Sequence, residues 1–148
     1  MANSMSHVGP ILTEIDIKRC EKAIGVNLPQ EYKEFLLSNN GGCPDKNIFS
    51  IKDFVNNPEG QVQLFFSIRS PVASRNLDWN FEVFLARVPK GMIPIARDDG
   101  GNLVCLSVED GMEKGVFFWD HDQETEPAAL SNVYWLANNF KDFFGMMS

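Results

Sequence analysis

Apolar positions near the start of the chain recur at helical spacing. Ile17, Cys20 and Ile24 follow one another at intervals of three and four residues, so they form one apolar stripe. Thr13 stands before this stripe and suits a helix cap, whereas Gly25 suits the left-handed position at a helix end. The pattern therefore predicts a first helix between Thr13 and Gly25.

A second helix is predicted directly after the first. Pro29 suits its first helical position, and Tyr32, Phe35 and Leu36 form its apolar stripe. Two asparagines and two glycines at 39–42 end this helix. The two segments together predict a pair of short helices joined by a tight turn.

The next part of the chain is typical of strands. A short strand is predicted at 48–51, and the composition of 56–60 predicts a turn. Residues 61–69 alternate, with Val62, Leu64, Phe66 and Ile68 on one face. This alternation predicts a half-buried strand.

Three later apolar runs have the spacing of consecutive hairpins. They cover residues 93–96, 103–108 and 116–119. An Asp-Gly pair lies in the turn at 98–102, and an acidic, glycine-containing turn lies at 109–115. These runs predict three neighbouring antiparallel strands.

Two remaining segments again have helical spacing. The pattern between residues 75 and 88 is ambiguous, and we favour a helix that carries Phe81, Phe84, Leu85 and Val88. Near the C-terminus, Ser131 suits the cap of a last helix with apolar residues Val133, Leu136, Ala137, Phe140 and Phe144.

Helices at both ends of the chain with hairpins between them predict an α+β fold. The expected architecture is a central, largely antiparallel sheet packed by N-terminal and C-terminal helices. We expect residues 1–12 to be a flexible N-terminus and residues 13–148 to form a single domain. A chain of 148 residues with 44% hydrophobic content is sufficient for one core.

The charge of the chain limits its partners. A net charge of −7 argues against nucleic-acid binding and against attraction to an anionic membrane surface. A basic protein partner is the natural complement, although mild acidity for solubility alone is the simpler explanation of the charge.

Compartment and cofactors follow from what the sequence lacks. It has no long apolar run and no secretory signal, and Cys20, Cys43 and Cys105 have no spacing typical of disulfides or zinc sites. We therefore expect a cytoplasmic protein without a cofactor.

Candidate catalytic and metal-binding groups are few. Asp120, His121 and Asp122 offer metal ligands, but alternation on a strand would direct the histidine away from both aspartates, so no metal site is predicted. Asp98 and Asp99 would suit acid–base chemistry, yet aspartates before Gly-Gly are more typical of turns. No nucleophile motif or phosphate-binding loop is present, which predicts a protein that is not an enzyme.

Carboxylates are dense in the second half of the chain, at the predicted turns. They would form an acidic rim at the ends of the sheet, which is either a protein-binding surface or a solvated set of turns. For Trp119, at the end of a bulky apolar strand, we favour the core. The candidate partner-binding residues are Asp98, Asp99, Asp120, Asp122, Glu124 and Glu126.

Two signatures carry a family resemblance. The first is the sequence at 24–36 (IGVNLPQEYKEFL), closed by Asn-Gly-Gly at 40–42. The second runs from Ile-Pro-Ile-Ala at 93–96 through Asp-Gly-Gly-Asn at 99–102 to VFFWDHD at 116–122. With a closing helix that carries Phe140 and Phe143, this order resembles the SMI1/KNR4 family, also called the SUKH superfamily, from Thr13 to Phe144.

The resemblance implies an α+β fold with a central sheet. Bacterial members resemble immunity proteins, which bind a cognate toxin, often a nuclease, and block it without catalysis. Fungal members resemble regulators of cell-wall synthesis and are usually longer. The resemblance therefore favours an immunity protein that covers a basic toxin domain by mimicking the charge of its substrate.

Two alternatives stay open. One is a small-molecule-binding or enzymatic domain with a pocket near Trp119 and His121. The other is a regulatory scaffold module of the fungal type. The sequence leaves the oligomeric state open.

Overall fold

The computed structural model describes residues 3–54, 58–110 and 112–148. Its helices are α1 Glu14–Ile24, α2 Gln30–Ser38, α3 Leu77–Phe84 and α4 Phe140–Met146, with short 3₁₀ turns at Ala73–Arg75 and His121–Gln123. Its strands are β1 Met5–Ser6, β2 Cys43–Pro44, β3 Ile48–Ser50, β4 Glu59–Gln61, β5 Leu64–Phe65, β6 Met92–Arg97, β7 Leu103–Glu109, β8 Met112–Trp119 and β9 Val133–Ala137. The predicted turns at 56–60 and 109–115 include residues 56, 57 and 111, which lie outside the described residues.

The centre of the fold is a five-stranded antiparallel sheet. Its strands lie in the order β5-β6-β7-β8-β9, and two smaller sheets pair β1 with β2 and β3 with β4. Hairpins join β6 to β7 and β7 to β8, as the spacing predicted. With helices from both ends of the chain around this sheet, the predicted α+β fold class is confirmed.

The first helix begins and ends where its sequence predicts. The Thr13 N–H donates to the Asp16 carboxylate (2.9 Å), and the Asp16 N–H donates to Thr13 Oγ1 (3.4 Å). This reciprocal capping satisfies two backbone donors that the first turn of a helix leaves free. Gly25 has φ 72°, the left-handed conformation that a residue without Cβ adopts at no steric cost.

The second helix packs against the last one through aromatic rings. Tyr32, Phe35 and Leu36 are buried, as predicted. The Phe140 ring lies 5.2 Å from the Tyr32 ring and 4.9 Å from the Phe35 ring, measured between centroids. Such tilted contacts add to the stabilisation that burial of the rings provides.

The predicted start of the last helix is wrong. Residues Val133–Ala137 form β9, which pairs with β8 so that Val133 lies opposite Trp119. Helix α4 begins at Phe140, and its cap is Asn139, which accepts from the Asp142 N–H, not Ser131. Apolar residues at helical spacing misled the prediction because the β8 edge supplies a non-local partner for this β-branched and aromatic segment.

The predicted continuous strand at 61–69 is also wrong. The segment changes partner along its length: β4 pairs with β3, whereas β5 pairs with β6. Both faces of its second half are buried, since Leu64, Phe65 and Phe66 are all inaccessible. The alternation therefore marked only one of two buried faces.

Helix α3 confirms the helix favoured between residues 75 and 88, but it ends at Phe84, before the predicted Leu85 and Val88. Leu77 and Asn80 are buried, Phe81 is partly buried and Leu85 is 60% exposed. The Asn80 side chain donates to two backbone carbonyls, which satisfies it inside the fold. Of the predicted apolar stripe, only Leu85 is exposed, since Val88 is buried and Phe81 and Phe84 pack against the core.

The segment predicted as a flexible N-terminus makes contacts with the rest of the domain. Met5 pairs with Pro44, the Gly9 N–H donates to the Asn40 carbonyl (2.8 Å), and Leu12 is buried. Its mobility stays a prediction. In the described ranges, no helix combines the length and apolarity needed to cross a bilayer.

Candidate partner-binding surface

Two of the acidic turns meet at one end of the central sheet. Leu103 at the start of β7 pairs with Trp119 at the end of β8, so the turn before Leu103 lies beside the turn after Trp119. We call residues 98–102 together with 120–123 the acidic end. The sheet thus brings together carboxylates that are about twenty residues apart in the sequence.

Asn102 joins the two turns of the acidic end. Its side-chain oxygen accepts from the His121 N–H (3.0 Å) and lies 2.6 Å from His121 Nδ1. Because an amide oxygen only accepts, Nδ1 carries the proton in this contact. Asn102 was not among the candidate residues, although its position after Asp-Asp-Gly-Gly marked the turn.

Asp98 stabilises its own turn, and partner binding by this residue stays a prediction. One carboxylate oxygen accepts from the Gly100 and Asn102 N–H groups, and the other accepts from the Asn102 side-chain amide, each at 2.8 Å. This is the local bonding by which aspartate stabilises turns. Its carboxylate is therefore largely occupied within the protein.

Asp120 is similarly engaged. It is 4% exposed, and its carboxylate accepts from the Asp122 N–H (3.0 Å). Its backbone exchanges hydrogen bonds with Asn132, whose side-chain amide donates to the Asp120 carbonyl (2.9 Å). Burial leaves this aspartate little surface for a partner.

The other four candidate residues are exposed. Asp99 and Glu126 lie at the surface, and the Asp122 side chain is 80% exposed, 3.3 Å from His121 Nε2. Glu124 accepts two hydrogen bonds from Arg87, at 2.8 and 3.0 Å, and this pairing lowers the pKa of Glu124. Partner binding by these residues stays a prediction.

Arg87 also covers the core beside the acidic end. Its guanidinium carbon lies 4.8 Å from the centre of the Phe84 ring and 5.6 Å from that of Trp119. Cation–π contacts of this kind hold the arginine in place. Trp119 itself is fully buried, as we favoured from the sequence.

The geometric reason given against a metal site is wrong. The strand ends at Trp119, and His121–Gln123 form a 3₁₀ turn, so alternation does not separate the three side chains. Ligand atoms of Asp120, His121 and Asp122 lie within 4.8 Å of one another and would suit a divalent ion. The absence of a metal stays a prediction.

The rest of the acidic rim lies elsewhere. Glu109 and Asp110 are exposed at the β7–β8 turn, at the opposite end of the sheet. Glu113 accepts from the Phe140 N–H (2.9 Å), and burial raises the pKa of its carboxyl. Glu109 and Asp110 thus lie apart from the acidic end rather than along one rim with it.

Cys20 and Cys105 give no sign of nucleophilic chemistry. Burial raises the pKa of Cys20 to about 12, and it raises the pKa of Cys105 as well. A reactive thiol requires the opposite shift, toward the thiolate. Both side chains pack in the core, as predicted.

Comparison with known families decides the relationship. The family model described as "SMI1 / KNR4 family (SUKH-1)" matches residues 11–146. The chain belongs to this family. This SUKH-1 chain is similar to the "SPbeta prophage-derived uncharacterized protein YokK" of Bacillus subtilis (strain 168), with 28% identity over 147 residues, 90% of this chain and 73% of that protein. The SUKH family is generally a non-enzymatic, immunity-type family whose members interact with proteins.

Proposed function

We propose that this protein is an immunity protein that binds a basic toxin domain in the cytoplasm and blocks it without catalysis. The observation that carries the proposal is the acidic end, where Asp99 and Asp122 are exposed on two turns that Asn102 joins. The partner is taken to be a toxin because an immunity role is plausible for this family.

The electrostatics of the chain suit this role. A net charge of −7 attracts a basic domain over a distance of about 10 Å at 0.1 M salt, and such attraction raises the rate of association. If the toxin is a nuclease, its active site is built for phosphates. Carboxylates held on two joined turns would then occupy the place of its substrate.

The alternatives find less support. The similar protein from Bacillus subtilis derives from a prophage, which favours a bacterial role over the fungal regulatory module. Trp119 is fully buried and His121 Nδ1 is bonded to Asn102, so this corner offers few free groups to a small molecule.

Co-expression tests the inhibitor. The toxin encoded beside this gene should stop growth when expressed alone and allow growth when this protein is present. Purified toxin and this protein should also form a complex. Failure of both rescue and complex formation would refute the inhibitor.

Substitutions at the acidic end test the surface. In the variant Asp99→Asn/Asp122→Asn, association should be about three- to tenfold slower at low salt and less dependent on salt. The matched control, Glu109→Gln/Asp110→Asn, removes the same charge at the opposite end of the sheet. Equal slowing in both variants would indicate an effect of net charge alone and would contradict a specific role for the acidic end.

A further inference from the structure

Helix α3 presents a surface that the proposed role of the acidic end does not use. Asp78, Phe81, Glu82 and Leu85 follow one another at i, i+3, i+4 and i+7, so they share one side of the helix. Asp78, Glu82 and Leu85 are exposed and Phe81 is half-buried. Carboxylates therefore alternate with apolar side chains along this stripe.

A hollow of about 770 Å³ lies on one side of the stripe, and we call it the α3 groove. Its lining is mostly apolar and includes Val88, Met92 and Ala129. Lys90 is the one ionic side chain in the lining among the described residues. Leu85 and Leu130 stand at the surface of the groove with 60% and 67% of their area exposed. Burying two such leucines against a partner would be favourable.

A second hollow, of about 570 Å³, adjoins the α3 groove. Phe81 and Leu85 line both hollows, so the two are adjacent on the surface, and we call them together the depression. Asp78 and Glu82 line the second hollow, and neither forms an ion pair within the ranges that the structure describes. This part of the depression is therefore negative, beside an apolar part.

We propose that this depression binds a segment of the partner protein that pairs an apolar side chain with a lysine or arginine. The apolar side chain fills the α3 groove beside Leu85 and Leu130, and the cation lies against Asp78 and Glu82. The proposal rests on the proposed function, because the segment belongs to the toxin domain. It adds an apolar anchor to the charge-based contact of the acidic end.

Charge complementarity decides between the possible occupants. A second copy of this chain would bring another net charge of −7 to a negative surface. A small apolar molecule would leave the two carboxylates of the second hollow without a counter-charge. A basic, apolar polypeptide segment satisfies both halves of the depression at once.

The test compares groove variants with matched surface variants. Leu85→Ser/Leu130→Ser removes the apolar anchors. Its control is Ile15→Ser, a change at an aliphatic side chain that is 61% exposed outside the groove. Glu82→Gln removes a groove charge, with Glu109→Gln as its control. All variants should keep the circular dichroism and thermal midpoint of the wild type.

Binding of the adjacent-gene toxin domain gives the first measurement. The double leucine variant should bind at least about tenfold more weakly, mainly through faster dissociation, because buried apolar anchors dominate interface energy. Glu82→Gln should slow association, and neither control should change affinity. Toxin binding that is unchanged in both groove variants would overturn the groove proposal and leave the proposed function intact.

A synthetic peptide of alternating leucine and arginine gives the second measurement. In NMR titrations, amide shifts should centre on Phe81, Leu85 and Leu130 and should vanish in the double leucine variant. If the toxin fails to bind but the peptide behaves in this way, the proposed function falls while recognition by the groove stands. If an apolar dye binds the groove and the peptide does not bind, the proposal is overturned in favour of a small ligand. If the wild type is a dimer that the double leucine variant dissociates, the proposal is overturned in favour of a second copy.

Discussion

Replacing Asn40 with alanine would remove a side chain that joins three segments of the fold. The Asn40 amide donates to the carbonyls of Pro10 (2.8 Å) and Ile68 (2.7 Å), and its oxygen accepts from the Ile68 N–H (2.7 Å). Asn40 is 3% exposed, so water does not replace these bonds. We expect the Asn40→Ala variant to be strongly destabilised.

The size of the loss follows from the three bonds. Each contributes about 0.5–1.5 kcal/mol net, and a buried group left without a partner costs about 1–3 kcal/mol. Both bonds to Ile68 are buried, so the free energy of unfolding should fall by roughly 3–4 kcal/mol, out of a typical total of about 5–15 kcal/mol. For a chain of this size, the thermal midpoint should fall by roughly 6–16 °C.

Urea unfolding followed by circular dichroism measures this loss, with Asn138→Ala, at an exposed position, as the control. Hydrogen exchange at Ile68 should also accelerate in the Asn40→Ala variant. The Asn40→Asp variant keeps the shape of the side chain, but a carboxylate oxygen then faces the carbonyls of Pro10 and Ile68, to which the amide had donated. We expect this variant to be destabilised at neutral pH. Its stability should partly return at acid pH, because a protonated carboxyl can again donate a hydrogen bond. A loss of less than about 1 kcal/mol in Asn40→Ala would refute the reasoning.

Two further predictions concern the last helix. Burial raises the pKa of Glu113 above its ordinary value of 4.5, so its carboxyl stabilises the fold at low pH and this contribution is lost as pH rises through the folded-state pKa. Glu113→Gln, which keeps an acceptor for the Phe140 N–H, should raise the urea midpoint at pH 7, and the gain should shrink toward pH 4; a constant gain would contradict this cause. Asn139→Ala should lower the free energy of unfolding by about 1 kcal/mol, because it removes the side chain that caps the Asp142 N–H. Ser131→Ala, the control, should change this free energy by less than about 0.5 kcal/mol. Equal losses in the two variants would contradict the assignment of Asn139 as the cap.

Features with a local cause could be predicted from the sequence. The bonds between Thr13 and Asp16 lie within one turn of helix, and Gly25 ends the same helix with its own conformation. The hairpin turn at 98–102 is likewise formed by bonds from Asp98 to its near neighbours. In each case the residues that determine the structure are adjacent in the chain.

Features with distant partners could not be predicted in this way. The segment Val133–Ala137 has apolar residues at helical spacing, and only the available edge of β8 makes it a strand. Asp120 is buried against Asn132, and Glu124 pairs with Arg87, 37 residues earlier in the chain. The candidate carboxylates could be listed from the sequence, but the burial of Asp120 and the ion pair of Glu124 depend on these non-local contacts.

The order of strands in the central sheet has a consequence for how the chain folds. Strands β6, β7, β8 and β9 are consecutive in the chain and adjacent in the sheet, so each strand pairs with its neighbour in sequence, and the longest connection between them is the segment 120–132. The contacts of Asn40 with Ile68 join positions 28 residues apart. We expect the four-strand meander to form in the rate-limiting step, so substitutions within it slow folding, whereas substitutions at Asn40 mainly accelerate unfolding.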